Sequence, residues 1–467
     1  MSSPRKVVII GAGPAGYVCA IRLAQYGQEV TVIERDEVGG TCLNVGCIPS
    51  KAMIAAGSLK ERIKEAHQMG IVVGEAKVKV DQLVEWKAGI VGKLTGGVAG
   101  LLKNHKCKVI KGTAKLLDKN TVQVDGPDGK TKIKCDDIVI ATGSIPIEIP
   151  GFEFDEKNVW SSTGALAPKK LPEHLVVIGG GYIGLELGFM YSNLGSKVTV
   201  LEATPGALPG QDRDCVKVIE RSLKKRKIKL MTETFALGYE KKGKKFEVRV
   251  KKGGKEDTVE CDQILSTVGR RPYSEGLDLE KAGLKTDERG FLQTNDQMRT
   301  SVPNIYAIGD IAGQPMLAHK GSKEGVVAAA VIAGKPDRYD VRCVPAVIFT
   351  APEMASVGES EEQLTERGVK FSVGKFPFAA SGRAMSLMET EGFVKVIADA
   401  ETDELLGVHM VGPEVTELIA EAALGIEMGA TAEDISRTIH AHPTLPEAMM
   451  EAAESVHKMA LHIFQKP

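Results

Sequence analysis

The chain is expected to fold as α/β, with two copies of one strand–turn–helix–strand unit followed by an α+β tail. Three observations predict this. The apolar run Val7 to Ile10 leads into Gly11-Ala12-Gly13-Pro14-Ala15-Gly16, a helical stretch from Tyr17 to Tyr26, and a second strand, Glu29 to Glu34. The same order returns at Leu175 to Ile178, Gly179-Gly180-Gly181-Tyr182-Ile183-Gly184 and Lys197 to Glu202. After Asp340, Phe371 to Phe378, Phe393 to Ile397 and Leu406 to Val411 read as antiparallel strands. Thr416 to Met428 and Glu447 to Phe464 read as helices, and no third glycine turn occurs.

Each repeat has the parts of a Rossmann-like dinucleotide site. Gly11 permits the tight turn, Gly13 lets backbone approach a pyrophosphate, and Gly16 lets helix and strand pack closely. The helix N-terminus offers free N–H groups and a positive dipole to phosphate. Glu34 stands where an acid accepts hydrogen bonds from ribose hydroxyls. Gly179, Gly181, Gly184 and Glu202 repeat the pattern, with the acid equally far from the first glycine. A lone Gly-x-Gly-x-x-Gly is often an ordinary turn; two with matched acids are specific. Glu202 favours NAD over NADP, because a carboxylate repels a 2′-phosphate. No Lys or Arg occurs from Ala203 to Asp212 to receive one, although the loop could bring Arg213 round.

Two dinucleotide sites in one chain imply electron transfer between two cofactors. Ile138 to Ser144 and Ile305 to Asp310 read as further buried strands of the first unit, and Ile264 to Gly269 as one of the second. Each ends at the sheet edge where ligands bind. The first unit is therefore interrupted by the second. The expected domains are 1–149 with 274–340, then 150–273, then the tail at 341–467.

Gly39 to Lys51 places Cys42 and Cys47 directly after the first unit. A thiol pair beside a redox cofactor can store two electrons as a reversible disulfide. The alternative is half of a zinc site. Zinc would need two further ligands, and no second Cys/His pair has ligand spacing, so no metal is expected. His442-Pro443-Thr444-Leu445-Pro446-Glu447 suggests proton transfer. An isolated histidine is more often a satisfied surface or core residue. Here two prolines stiffen the segment, and Glu447 is close enough to orient an imidazole as a general base. Glu447 could otherwise simply begin the final helix, where negative charge is favoured.

The 467 residues are 43% hydrophobic and 26% charged, with a formal net charge of −1. That composition suits a folded protein and gives no pull toward nucleic acid or an anionic membrane. Eight cysteines in so long a chain do not make a secreted disulfide scaffold. Cys19, Cys107, Cys135, Cys215, Cys261 and Cys343 read as reduced, several of them as small core residues. Cleavage of the N-terminal apolar run as a signal peptide would destroy the glycine motif. No apolar stretch reads as long enough to span a bilayer, and the expected location is the cytoplasm.

Over essentially its whole length the chain resembles the flavin-dependent pyridine nucleotide–disulfide oxidoreductases. The resemblance rests on the Gly11 and Gly179 turns, Gly39 to Lys51, Ala141 to Ser144, Gly309-Asp310, and His440 to Glu447. It is greatest to the branch that oxidises dihydrolipoyl groups. Other branches are disfavoured: no cysteine follows Cys343 to form a C-terminal redox pair, and no basic residues follow the second acid strand. The alternative is another NAD(P)H-linked disulfide or quinone reductase on the same scaffold.

The resemblance implies one FAD per subunit, held tightly without a covalent link in the first site, and NAD in the second. Glu34 would bind the adenosine ribose, Asp310 the pyrophosphate and ribityl side, and Lys51, paired with Glu186, would sit near flavin N5. Gly112, Thr142, Gly143, Met316, Ala318 and His319 would complete the FAD site; Glu186 and Gly269 would join the NAD set. Cys42 would be the interchange thiol and Cys47 the flavin-side thiol, an order that spacing alone does not give. The tail would be a dimerisation domain whose His442 faces the partner subunit's Cys42, with Glu447 orienting it. Expected partners are a second copy of the chain and the lipoyl domains of acyltransferase or glycine-cleavage carrier proteins, with no nucleic acid and no membrane.

Overall fold

The computed structural model describes residues 3–466, so the extreme ends of the expected first and last domains (1, 2 and 467) lie outside it. Runs such as Val7 to Ile10 are apolar at every position and buried at every position, the signature of a parallel sheet covered on both faces. The first sheet is parallel throughout, ordered Ile305–Ala307, Asp137–Ile140, Lys6–Ile10, Glu29–Glu34, Lys108–Lys111. Side chains alternate across it: Val7, Ile9 and Val32 enter one core, while Val8, Ile10 and Ile33 enter another. The second sheet repeats the plan as Lys229–Met231, Lys197–Leu201, His174–Ile178, Gln263–Ser266, Val159–Trp160.

The two glycine turns superimpose in their physics. Gly11 and Gly179 both have φ of 104°, a left-handed value that only glycine adopts readily. A Cβ on Gly16 or Gly184 would lie 2.0 Å from the carbonyl oxygen of Gly11 or Gly179, so helix and strand could not close on any larger residue. The helices Pro14–Gln25 and Tyr182–Leu194 then begin without a side-chain cap. Their first N–H groups are left for a ligand.

A short antiparallel pair, Ser144–Pro146 with Arg270–Pro272, stitches the end of one unit to the end of the other. The C-terminal sheet is antiparallel, ordered Ala346–Ile348, Glu353–Gly358, Leu405–Gly412, Phe393–Asp399, Phe371–Pro377. Val415–Met428 and Glu447–Val456 are the longer helices packed with it.

Two expectations need correction. The final helix ends at Val456, not Phe464. Lys458 has φ of 60°, and the chain turns back so that the N–H groups of Leu461 and His462 meet Glu451 Oε2 at 3.1 and 3.3 Å. Glu451 is only 2% exposed. A buried carboxylate needs donors, and the returning tail supplies them.

The second correction concerns Gly40–Met69, which over 30 residues is long and apolar enough to cross a bilayer. Gly46 interrupts it with φ −135° and ψ −112°, splitting it into Gly40–Val45 and a longer helix from Cys47. It packs on the Tyr182–Leu194 and Val80–Asn104 helices, and Lys51 in its middle pairs with a buried glutamate.

Candidate active site

A cavity of about 520 Å³ opens at the carboxyl ends of the first sheet. Gly11, Gly13, Glu34, Cys42, Cys47, Lys51, Gly112, Thr142, Gly143, Asp310, Met316 and Ala318 all stand on its wall. The fold thus brings together residues from six separate stretches of sequence. Gly16 stays behind the wall, as its packing role requires. His319 is off the wall too, its ring Nε2 hydrogen-bonded with the Pro345 carbonyl at 2.8 Å.

Cys42 is half-buried, Cys47 is exposed, and both are free thiols here. Cys47 is the first residue of the Cys47–Glu65 helix, where the helix dipole favours an anion. Its pKa is lowered, first by the neighbouring Cys42 thiol and then by the charge of Lys51, against the desolvation imposed by the cavity wall. Cys42 is pushed far above the ordinary thiol range, chiefly by its neighbour Cys47. The surroundings thus favour the thiolate at Cys47 and the protonated form at Cys42. Lys51 Nζ lies 2.8 Å from Glu186 Oε2, and Glu186 is 5% exposed.

Glu34 accepts from Ala12 N at 2.7 Å and from Asp36 N at 2.8 Å. Glu202 accepts from the equivalent groups, Gly180 N at 2.6 Å and Thr204 N at 2.7 Å. Each carboxylate is thus fixed by two backbone donors and keeps lone pairs for a ribose. Gly179, Gly184 and Gly269 lie with Glu202 at the ends of the second sheet; a Cβ on Gly181 would meet nothing within 4 Å. Glu186, which the resemblance also assigns to the NAD set, stands on the wall of the first cavity. Arg213 donates to the Ala207 carbonyl at 3.0 Å, which ties it to the turn after Glu202.

His442 Nδ1 and Glu447 Oε1 are 2.8 Å apart, and Glu447 Oε2 accepts the Thr444 N–H at 2.8 Å. Burial pushes the Glu447 pKa up, but Thr444 and His442 together bring it below the ordinary carboxylate range. The imidazole is 81% exposed, and no described residue beyond Gly321 reaches the cavity wall. Within one chain, base and dithiol stay apart.

Sequence reading missed Arg270. Its Nε donates to Ser144 Oγ at 2.8 Å and its Nη2 to the Ser144 carbonyl at 2.6 Å, while Ser144 Oγ donates to Asp310 Oδ2 at 2.5 Å. Burial lowers the Arg270 pKa, and Asp310 opposes that. Its position after a strand of the second unit was visible; its reach into the first was not.

The wall fits an adenine–flavin dinucleotide in its own chemistry: uncapped helix N–H groups, an acid held by backbone, and a glycine turn too tight for any Cβ. A family model described as pyridine nucleotide-disulphide oxidoreductase matches residues 5–325, and one for that family's dimerisation domain matches residues 344–453. The chain belongs to this family: it is a flavoprotein disulfide oxidoreductase that uses FAD and NAD, and its dimerisation domain supports a homodimer.

Within the family it groups with the dihydrolipoyl dehydrogenases. It is 49% identical to dihydrolipoyl dehydrogenase of Thermus scotoductus, over 98% of this chain and 99% of that protein. Identity to the Geobacillus stearothermophilus enzyme of that name is 47%, over 99% and 98%. The crystal structure of LpdA from Mycobacterium tuberculosis superimposes with a TM-score of 0.90 at 28% identity, over 96% of this chain and 99% of that one.

Proposed function

We propose that the chain oxidises protein-bound dihydrolipoyl groups through Cys42 and Cys47 and passes the electrons to NAD⁺. The observation that carries this reading is the thiol pair on the cavity wall, with Cys47 at a helix N-terminus and Lys51 one turn further on. Full-length likeness to proteins named dihydrolipoyl dehydrogenase supports the substrate class.

In the oxidised enzyme Cys42 and Cys47 form a disulfide. His442 takes the proton from one substrate thiol, and Glu447 steadies the imidazolium. The substrate thiolate attacks Cys42 Sγ, forming a mixed disulfide and releasing Cys47 as a thiolate. The second substrate thiol then displaces Cys42, which closes the oxidised lipoyl ring and leaves the enzyme dithiol. Bound FAD supplies the two-electron carrier between Cys47 and NAD⁺. Lys51, Glu34, Asp310 and the glycine turns would hold it, and Glu202 with its own turn would hold NAD.

The proposed domains are 1–149 with 274–340 for FAD, 150–273 for NAD and 341–467 for the interface. A base on the outside of the chain needs a second subunit to reach a dithiol. Lipoyl domains of acyltransferase or glycine-cleavage carrier proteins are the proposed partners, and six scattered thiols favour the cytoplasm. The test compares dihydrolipoamide/NAD⁺ turnover with glutathione disulfide/NADPH turnover on the purified protein. The first should dominate; dominance of the second would overturn the substrate assignment.

A further inference from the structure

Lys51 does not meet Glu186 alone. Its ammonium lies 4.4 Å from the centroid of the Phe349 ring, within cation–π range. The backbone N–H of the same Phe349 donates to Glu186 Oε1 at 3.0 Å. One residue therefore grips both members of the pair, its ring on the cation and its amide on the carboxylate. The three groups come from distant stretches: the Cys47–Glu65 helix, the Tyr182–Leu194 helix, and the turn after Ala346–Ile348.

That turn is itself anchored. Ile348 is buried in the core of the second unit, with Ala351 packed against it. Ser222 of the Arg213–Lys225 helix donates its hydroxyl to the Ala351 carbonyl. Phe349 thus stands on a fixed base. A lysine side chain is long and freely rotating, and a charge on it acts on a neighbour only where it is held. Both Lys51 and Cys47 face the cavity, and the Lys51 charge favours the Cys47 thiolate.

We propose that Phe349 is a positioning residue of the redox centre, holding the Lys51 ammonium beside Cys47 so that the C-terminal domain reaches the flavin-side thiol. This rests on the reading of Cys47 as that thiol. Ordinary packing would ask only for bulk at position 349. A positioning role asks for an aromatic face.

The test is a pH titration of the long-wavelength thiolate–flavin absorbance in the two-electron-reduced holoenzyme. Phe349→Leu keeps the backbone N–H and most of the bulk but removes the ring. It should raise the midpoint of the band by about half a pH unit, an about threefold loss of thiolate at a fixed pH well below the midpoint, in line with one cation–π contact. Phe349→Tyr should keep the wild-type midpoint. In a Lys51→Met background, Phe349→Leu should add nothing further.

An unchanged midpoint in Phe349→Leu overturns the proposal, as does an equal shift in Phe349→Tyr or a shift that persists without Lys51. Should Phe349→Leu fail to retain FAD, Lys51→Met alone decides: a midpoint equal to wild type removes the effect Phe349 is said to control. A wild-type enzyme that shows no such band would instead sink the assignment of Cys47, so the two failures are distinguishable.

Discussion

His442 and Glu447 are hydrogen-bonded at 2.8 Å, yet this assembled dyad faces out of the chain that carries it. Mixing a Cys42→Ser subunit with a His442→Gln subunit tests whether it serves a second copy. In the mixed dimer one shared site carries both lesions and the other none, so activity should return after subunit exchange. A mixed dimer that is confirmed to form and stays inactive would mean that the base acts on its own chain.

Cys47→Ser should leave FAD bound and abolish the thiolate–flavin absorbance. In the wild type that absorbance should fall as pH falls through a midpoint below the ordinary thiol range. The sign follows from the depressed thiol: the thiolate is held above that pH and lost below it. Absorbance that survives Cys47→Ser would reverse the order of the two thiols.

Glu202→Ala should weaken NAD⁺ binding by about 1.5–3 kcal/mol, the worth of hydrogen bonds to a charged group. Discrimination against NADP⁺ should fall with it, because a repulsive element is gone. Dissociation constants for both nucleotides, measured by titration, check this. A wild type that already prefers NADP⁺ would refute the reading of the acid.

Lys395→Met should lower the urea midpoint at pH 7 by an amount corresponding to about 3–5 kcal/mol, as loss of one partner from a buried ionic cluster does. Lys395 Nζ, 2% exposed, lies 2.7 Å from Asp212, 3.1 Å from Asp214 and 2.6 Å from Glu361, joining the second unit to the C-terminal sheet. Burial raises the Asp212 pKa, but Lys395 and the Cys215 N–H bring it net below the ordinary value. A depressed carboxylate contributes stability above its unfolded pKa and loses it as pH falls through its folded one. Wild type should therefore lose much of its advantage over Lys395→Met in acid. Equal midpoints at pH 7 would show that the cluster contributes nothing net.

The two dinucleotide units were legible because their signals are local. Gly11 with Glu34, and Gly179 with Glu202, sit at fixed spacing within one βαβ unit, and the backbone conformation they require is peculiar to glycine. The Cys42–Cys47 pair and the His442–Glu447 pair were legible for the same reason. The end of the last helix was not, because Val456 and Lys458 carry no breaker; the turn back is made worthwhile by the buried Glu451 carboxylate.

By itself, the sequence determined the two cofactor units, the redox dithiol and the class of chemistry, since each needs only neighbours along the chain. The tertiary structure alone decided that Cys47 opens a helix with Lys51 beside it on the cavity wall, that Arg270 reaches Asp310 through Ser144, and that Phe349 closes over Lys51. It also left His442 on the outer surface, away from the cavity. The physical reason is common to all four. Charge, burial and hydrogen bonding act through distances in space, and the residues that set them here lie on separate sheets whose packing no local pattern encodes.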